Sequence, residues 1–173
     1  MPQHLAKSLQ RAASRIQAEA HDALKLPSET QAPADQPVLP HSLFKGTRGY
    51  IETVVYQINT TYGSTCYDAC AVMIRRLSEV LIIECFEHHG ISQSITNLDG
   101  DYLYLGELIR LALAEPAWTL SRNTKAGLKK LKTIGDLSAH SRRYNARRQY
   151  IDDIIGDLRT VSEELLYLSG LRT

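Results

Sequence analysis

Apolar residues recur every three or four positions through most of the chain, which is the spacing of one face of an α-helix. The clearest stretch is 65–88, where the apolar positions form a continuous seam along one predicted face. Those positions are Tyr67, Cys70, Ile74, Leu77 and Leu81. Gly90 follows the stretch and suits the left-handed residue that ends many helices. The pattern predicts a long helix that Ser64 or Thr65 caps at its start.

The same periodicity predicts further helices in the rest of the chain. They cover residues 50–61, 103–114, 122–134 and 147–169. The β-branched residues Val54, Val55 and Ile58 leave a strand as the alternative for the first of them. The helix 122–134 is expected to end before Gly135, so that His140 falls between the last two helices, and Gly170 is expected to end the last helix. Together these elements predict an all-α fold, an antiparallel bundle of four or five helices with an N-terminal helical arm.

The beginning of the chain differs in character from this bundle. Residues 1–26 hold an amphipathic stripe that includes Leu5, Leu9 and Ile16, which predicts the helical arm. Residues 27–49 hold four prolines among mostly polar residues, which is typical of a linker. The bundle is therefore expected to occupy 50–173, and the arm to pack on its own domain, on a second subunit or on a partner protein.

The composition is that of a globular chain, with 43% apolar and 23% charged residues among 173. No apolar run approaches the roughly 20 residues that cross a bilayer, and no secretory signal pattern begins the sequence. Cys66, Cys70 and Cys85 lie within apolar helical patterns, and no further ligands complete a zinc set around them. We therefore expect a cytoplasmic protein with reduced thiols and without a membrane segment, a metal or a cofactor.

The net charge of +1 conceals a strong asymmetry. Between Ser121 and Arg148 nine basic residues and one acid give +8, while eleven basic and eighteen acidic residues give −7 elsewhere. The basic residues are Arg122, Lys125, Lys129, Lys130, Lys132, Arg142, Arg143, Arg147 and Arg148. Such an asymmetry can concentrate an anionic ligand on one face of a protein. A solvated helix surface is the alternative interpretation.

The candidate chemistry lies within this basic segment. The sequence contains no phosphate-binding glycine loop, nucleophile elbow or paired-cysteine zinc motif, which leaves His140 as the leading candidate. A histidine beside Arg142 and Arg143 can transfer protons at a phosphate ester while the arginines hold its oxygens. RNA cleavage of this kind needs no metal, because the 2′-hydroxyl is the nucleophile. The alternative is a histidine that caps or hydrogen-bonds a helix end.

Two segments of the chain carry a characteristic residue pattern. Residues 62–79, Tyr-Gly-Ser-Thr-Cys-Tyr-Asp-Ala-Cys-Ala-Val-Met-Ile-Arg-Arg-Leu-Ser-Glu, combine small residues, an apolar stretch, an arginine and a glutamate. In this order they resemble a long helix of the HEPN superfamily (higher eukaryotes and prokaryotes nucleotide-binding domains). Residues 131–140, Leu-Lys-Thr-Ile-Gly-Asp-Leu-Ser-Ala-His, resemble the Gly-Asn/Asp-x-x-Ala-His signature of a bacterial branch. The two segments occur in the order that the superfamily has, and the resemblance covers roughly residues 50–170.

This resemblance implies a bundle of four or five helices that forms a homodimer. Active HEPN domains are metal-independent endoribonucleases of toxin–antitoxin, abortive-infection and CRISPR-linked defence systems. Their motif is an arginine, usually followed by a polar residue, four to six residues before a histidine. Carried over by position, His140 is the histidine and Asp136 the polar residue, and these two are the candidate catalytic residues. The position of the arginine is Gly135 here, which departs from the motif.

Other cations are candidates to replace the missing arginine or to hold a phosphate. They are Lys132, Arg142, Arg143, Arg147 and Arg75. Alternatively, Arg75 and Glu79 form a structural pair beneath His140. The sequence therefore leaves two classes of function open: a HEPN-like domain that binds or cleaves RNA or a nucleotide, and a non-catalytic interaction or dimerisation module, antitoxin-like or scaffolding, whose arm (3–26) docks a partner protein.

Overall fold

A computed structural model describes residues 37–172, so the predicted arm at 1–26 lies outside the described residues, as do positions 27–36 of the predicted linker. The described chain is an all-α bundle, as the sequence predicts. Its helices are α1 (His41–Phe44), α2 (Gly49–Gly63), α3 (Tyr67–His88), α4 (Leu105–Ala114), α5 (Arg122–His140), α6 (Arg148–Asp152) and α7 (Ile155–Leu168), with a 3-10 turn at Ser92–Ile95.

The central helix of the bundle is α3, which contacts α2, α4, α5, α6 and α7. Its neighbour α2 runs antiparallel to it: the Cys70 thiol near the start of α3 donates to the Ile58 carbonyl near the end of α2. At the opposite end, Arg48, which precedes α2, pairs with Glu84 near the end of α3. The strand alternative for residues 50–61 is therefore wrong, because this segment is the buried helix α2.

The helices α5 and α7 form a second antiparallel pair. Ser121 at the start of α5 contacts Glu164 near the end of α7, whereas Lys130 farther along α5 contacts Asp157 near the start of α7. Gly127 allows this close approach, since an added Cβ there would meet a Val161 methyl at 2.8 Å. The basic helix α5 is thereby held between α3 and α7 with one face open to solvent.

The predicted end of α5 at Gly135 is wrong, because the helix continues without a break to His140. Gly135 is a packing position rather than a helix breaker. An added Cβ would lie 2.5 Å from the Arg75 Cβ and 3.1 Å from the Ala71 carbonyl oxygen of α3. A glycine inside a helix is disfavoured by about 1 kcal/mol relative to alanine. At position 135 this cost accompanies a close crossing of α3 and α5, which a larger residue would obstruct.

Helix ends elsewhere agree with the sequence only in part. Gly90 and Gly170 have φ values of +70° and +65°, as expected of left-handed residues after α3 and α7. Neither Ser64 nor Thr65 caps α3, because the N-cap position is Cys66 and no side chain bonds the helix start there. The stretch 147–169 is divided into α6 and α7 rather than continuous.

The described part of the predicted linker packs against the bundle. Val38, Leu39 and Phe44 are buried in the core. The Leu39 N–H donates to the Asn59 side-chain oxygen, the Asn59 amide donates back to the Leu39 carbonyl, and Arg159 donates to the Val38 carbonyl. The compact part of the chain therefore begins before residue 50, because apolar residues among the prolines fill a surface of α2 and α7.

Candidate nucleic-acid interface

The close crossing at Gly135 brings four of the sequence-predicted residues together. Arg75 of α3 donates from Nε to Asp136 Oδ1 at 2.8 Å. The ammonium group of Lys132, one turn earlier on α5, contacts the other Asp136 oxygen. A weaker contact of 3.8 Å joins the Arg75 guanidinium to Glu79. The predicted pair of Arg75 and Glu79 thus forms, but the shorter contact of Arg75 is with Asp136.

These contacts fix the charge of Asp136. Partial burial raises its pKa, but hydrogen bonds from Lys132 and Arg75, together with their positive charges, outweigh that effect and hold the pKa below its ordinary range. The carboxylate is therefore ionised at neutral pH, and each of its oxygens accepts a hydrogen bond from a cation. An ionised carboxylate in this arrangement is suited to hold two cations in place rather than to donate a proton.

His140 lies at the end of α5, one turn beyond Asp136, and its side chain is exposed. Residues four apart on a helix share a face, so His140 and Asp136 lie on the same side of α5. Within residues 37–172, no hydrogen bond or ion pair engages the imidazole. The ring is therefore open to an external ligand and has no described partner of the kind that orients a general base.

The arginines that follow His140 are also exposed. Arg142, Arg143 and Arg147 belong to the connection between α5 and α6, residues 141–147, and none of them forms an ion pair within the described range. Three other cations of the basic segment are paired. Those pairs are Lys130–Asp157, Lys132–Asp136 and Arg148–Asp152. Within the described range, the unpaired cations of the basic segment are therefore divided between the connection and the first half of α5, which holds Arg122, Lys125 and Lys129.

The connection is anchored at its far end against α2 and α3. The Ala146 N–H donates to the Asp68 carboxylate in the first turn of α3 at 2.9 Å. Arg148 donates to the Tyr62 hydroxyl, and its guanidinium carbon lies 5.6 Å from the centre of that ring. The Tyr62 hydroxyl donates in turn to Asp152 of α6. These contacts fix the backbone of the connection close to the start of α6.

A groove of about 520 Å³ lies beside the connection. Its lining consists of Lys129, Lys130, Thr133, Ile134, Leu137, Tyr144, Tyr150, Asp153 and Ile154. Ile134 and Ile154 are almost fully buried and form its floor. Tyr144 and Tyr150 stack with ring centres 6.0 Å apart and planes 22° apart. Burial raises the pKa of the Tyr144 hydroxyl, and repulsion from the negative charges of Asp68 and of ionised Tyr150 adds to the effect.

The sequence reasoning missed this groove. Tyr144 lies in the connection and Tyr150 in α6, and no single helical period relates the two positions. The available signal was compositional: both tyrosines fall in or beside a basic run, which is a pattern of surfaces that bind nucleic acid. The structure therefore adds an aromatic element to the cations that the sequence singled out.

Other site types receive no support from the described residues. Within residues 37–172, no three His, Cys, Asp or Glu side chains are grouped to hold a metal ion. No helix in that range has the length and apolarity to cross a membrane. Comparison with protein-family models, curated proteins and solved structures finds no match to this chain. The two segments that carry the HEPN resemblance, 62–79 and 131–140, meet where Arg75 packs on Gly135.

Proposed function

We propose that this chain is a HEPN-like domain that binds RNA through the connection 141–147 and the end of α5. The observation that carries the proposal is the group of exposed arginines, Arg142, Arg143 and Arg147, without an acidic partner in the described range and next to exposed His140. Binding of a polyanion by exposed, unpaired cations is favourable, because each contact with a phosphate releases condensed counterions. The net charge of −7 outside the basic segment repels a polyanion from the rest of the surface.

Each predicted residue has a part in this proposal. Arg142, Arg143 and Arg147 contact phosphates, and His140 adds a further hydrogen bond to a phosphate oxygen. Asp136 holds Lys132 and Arg75 against α5, so that these two cations contribute to the positive potential from fixed positions. We further propose, from the HEPN resemblance, that the domain acts as a cytoplasmic homodimer in a bacterial defence or toxin–antitoxin system.

Metal-independent cleavage of RNA is the second candidate function, and the position of Arg75 favours it. The HEPN motif has its arginine at the position that Gly135 occupies here, and the Arg75 stem fills the space beside that glycine. Its guanidinium binds Asp136, one turn before His140. In this arrangement His140 accepts the proton of a 2′-hydroxyl as that oxygen attacks the adjacent phosphorus. A cyclic phosphate forms, the departing 5′-oxygen takes a proton from water, and His140 afterwards releases the proton that it accepted to the solvent.

The experiment is a titration of a fluorescein-labelled single-stranded RNA in EDTA, followed by anisotropy between 50 and 200 mM salt. We expect the double variant Arg142→Ala/Arg143→Ala to bind more weakly and to reduce the slope of log K against log salt by about 1.4, since each single-strand contact contributes about 0.7. The control Lys45→Ala/Arg110→Ala removes the same number of exposed cations outside the basic segment, one of which, Arg110, is paired with Glu107, and it should leave the slope unchanged.

Two outcomes would contradict RNA binding at this site: no binding by the wild type at the lowest salt, or an equal loss in both double variants. A salt-insensitive complex with a protein partner, formed in place of an RNA complex, would favour the interaction-module alternative. Cleavage products that appear in EDTA and disappear in His140→Ala would add catalysis to binding. Binding without products would leave His140 as a phosphate contact alone.

A further inference from the structure

We infer that the groove between α5 and α6 takes an unpaired nucleobase, which would make the bound RNA single-stranded. This inference rests on the proposed function, because the cations beside the groove hold the phosphates of the same strand. It goes beyond that function by assigning a separate subsite, the surface formed by Tyr144 and Tyr150, to a chemical group other than phosphate.

The chemistry of the lining favours a base over a phosphate. The floor formed by Ile134 and Ile154 offers no hydrogen bond to replace the water around a phosphate. Among the α5 residues of the lining, only Lys129, Lys130 and Thr133 could compensate an anion, and Lys130 is already paired with Asp157. Asp153, which is exposed and lines the groove, repels a phosphate. The same carboxylate accepts hydrogen bonds from the N–H groups on the edge of a base.

The two tyrosines supply the face on which a base stacks. Their planes are only 22° apart, and Tyr150 is 38% exposed, so an aromatic surface borders the groove and is open to solvent. Stacking of a base on an aromatic side chain tolerates any base sequence, because every base has a π-face. Leu137, which is 40% exposed, extends the apolar surface beside the rings.

Charge complementarity distinguishes a nucleotide from an apolar protein segment as the occupant. Lys129 lines the groove and forms no ion pair within the described range, and Arg142 and Arg143 directly precede Tyr144 in the connection. A nucleotide presents a flat apolar base and a phosphate in one unit, which matches an aromatic groove bordered by unpaired cations. An apolar helix would leave those cations without partners.

A duplex fits this groove poorly. In a double helix both faces of each base are covered by stacked neighbours, and the hydrogen-bonding edge is taken by the opposite strand. Insertion of a base between the tyrosines and the α5 surface therefore requires an unpaired nucleotide. The groove should consequently favour single-stranded over duplex RNA of equal length, although the duplex carries twice as many phosphates.

The test measures binding of a labelled single-stranded 12-mer and of a duplex with the same number of phosphates on the labelled strand. We expect Tyr150→Ala to weaken single-strand binding about 5- to 150-fold, the loss typical of one stacked base, and to change duplex binding little. Tyr150→Phe is the matched control: it keeps the ring and should bind as the wild type does. A 2-aminopurine base in the strand should lose fluorescence on binding, since stacking quenches it.

The outcomes separate this inference from the proposed function. Equal binding of the single strand and the duplex, unaffected by Tyr150→Ala, would overturn the groove assignment and leave RNA binding intact. Absence of binding to both RNAs would overturn the proposed function. A change of oligomeric state in Tyr150→Ala, with RNA affinity unchanged, would show that a second copy of the chain packs on the groove, and it would overturn the assignment to a base. Should Tyr150→Ala not fold, the wild-type preference and the 2-aminopurine signal still decide the question.

Discussion

The substitution Gly135→Ala tests how α3 and α5 hold the candidate site together. The added methyl group would lie 2.5 Å from the Arg75 Cβ and 3.1 Å from both the Arg75 Cδ and the Ala71 carbonyl oxygen. Two of these three atoms, the Arg75 Cβ and the Ala71 oxygen, cannot rotate away as the end of a flexible side chain does. The helices must therefore separate locally, and the hydrogen bond between Arg75 and Asp136 must lengthen.

The expected cost follows from two opposing effects. Overpacking of a close contact costs about 1–3 kcal/mol, whereas replacing glycine by alanine inside a helix gains about 1 kcal/mol. We therefore expect Gly135→Ala to lower the free energy of unfolding by up to about 2 kcal/mol. The matched control is Gly156→Ala in α7, where an added Cβ meets nothing within 4 Å. That variant should be neutral or more stable by up to about 1 kcal/mol.

Urea unfolding of both variants, monitored by circular dichroism, measures the difference directly. NMR titration of the Asp136 carboxyl provides a second readout, because displacement of Arg75 should move its pKa back towards the ordinary value. Equal stabilities of Gly135→Ala and Gly156→Ala would refute the packing role of Gly135. An unchanged Asp136 pKa in a destabilised Gly135→Ala variant would refute the link between this crossing and the ion pairs.

Two further predictions concern titration and thiol reactivity. Asp136→Asn should destabilise the protein by up to about 1 kcal/mol at pH 7, because the pair contacts are partly exposed. Since the folded-state pKa of Asp136 is lowered, this stabilisation is present above the ordinary carboxyl pKa and is lost as the pH falls through the folded-state value. Urea unfolding from pH 7 to pH 2.5 should therefore show the unfolding free energies of the wild type and of Asp136→Asn converge. A difference that stays constant with pH would contradict the assignment. Burial raises the pKa of Cys70 and of Cys85 to about 12, while Cys66 is exposed. A thiol reagent at pH 8 should therefore modify one cysteine in the folded protein and three in urea, and Cys66→Ser should abolish the reaction of the folded protein. Fast modification of a second thiol in the folded protein would contradict the burial of Cys70 and Cys85.

The sequence predicts those features of the fold that depend only on residues close together along the chain, within one helix. The spacing of apolar residues by three and four positions predicts α3, and Gly90, which follows this helix, has the left-handed conformation expected of a helix end. Gly135 shows the limit of this reasoning, because a glycine that breaks a helix and a glycine that admits a neighbouring helix look alike in one sequence. The difference depends on Arg75 and Ala71, which are about sixty residues away along the chain.

The same limit applies to the candidate site. The cations and His140 are visible in the sequence as a basic run, since they are close together along the chain. The contact between Arg75 and Asp136 joins two helices, and the sequence left it as one of several arrangements. The stacked rings of Tyr144 and Tyr150 depend on the path of the connection, which the bond from the Ala146 N–H to Asp68 helps to fix. Hydrophobic periodicity contains no information about that path.

Photo-cross-linking of the 173-residue chain to a single-stranded RNA with 4-thiouridine, read by mass spectrometry, tests the location of the proposed RNA interface most directly. We expect cross-links in the peptides of the connection 141–147 and of α6, above all at Tyr144 and Tyr150. We also expect them to be lost in high salt and in Arg142→Ala/Arg143→Ala. Cross-links concentrated on α4 or on the 91–104 loop, or none at a concentration where binding is saturated, would contradict an RNA interface at the end of α5.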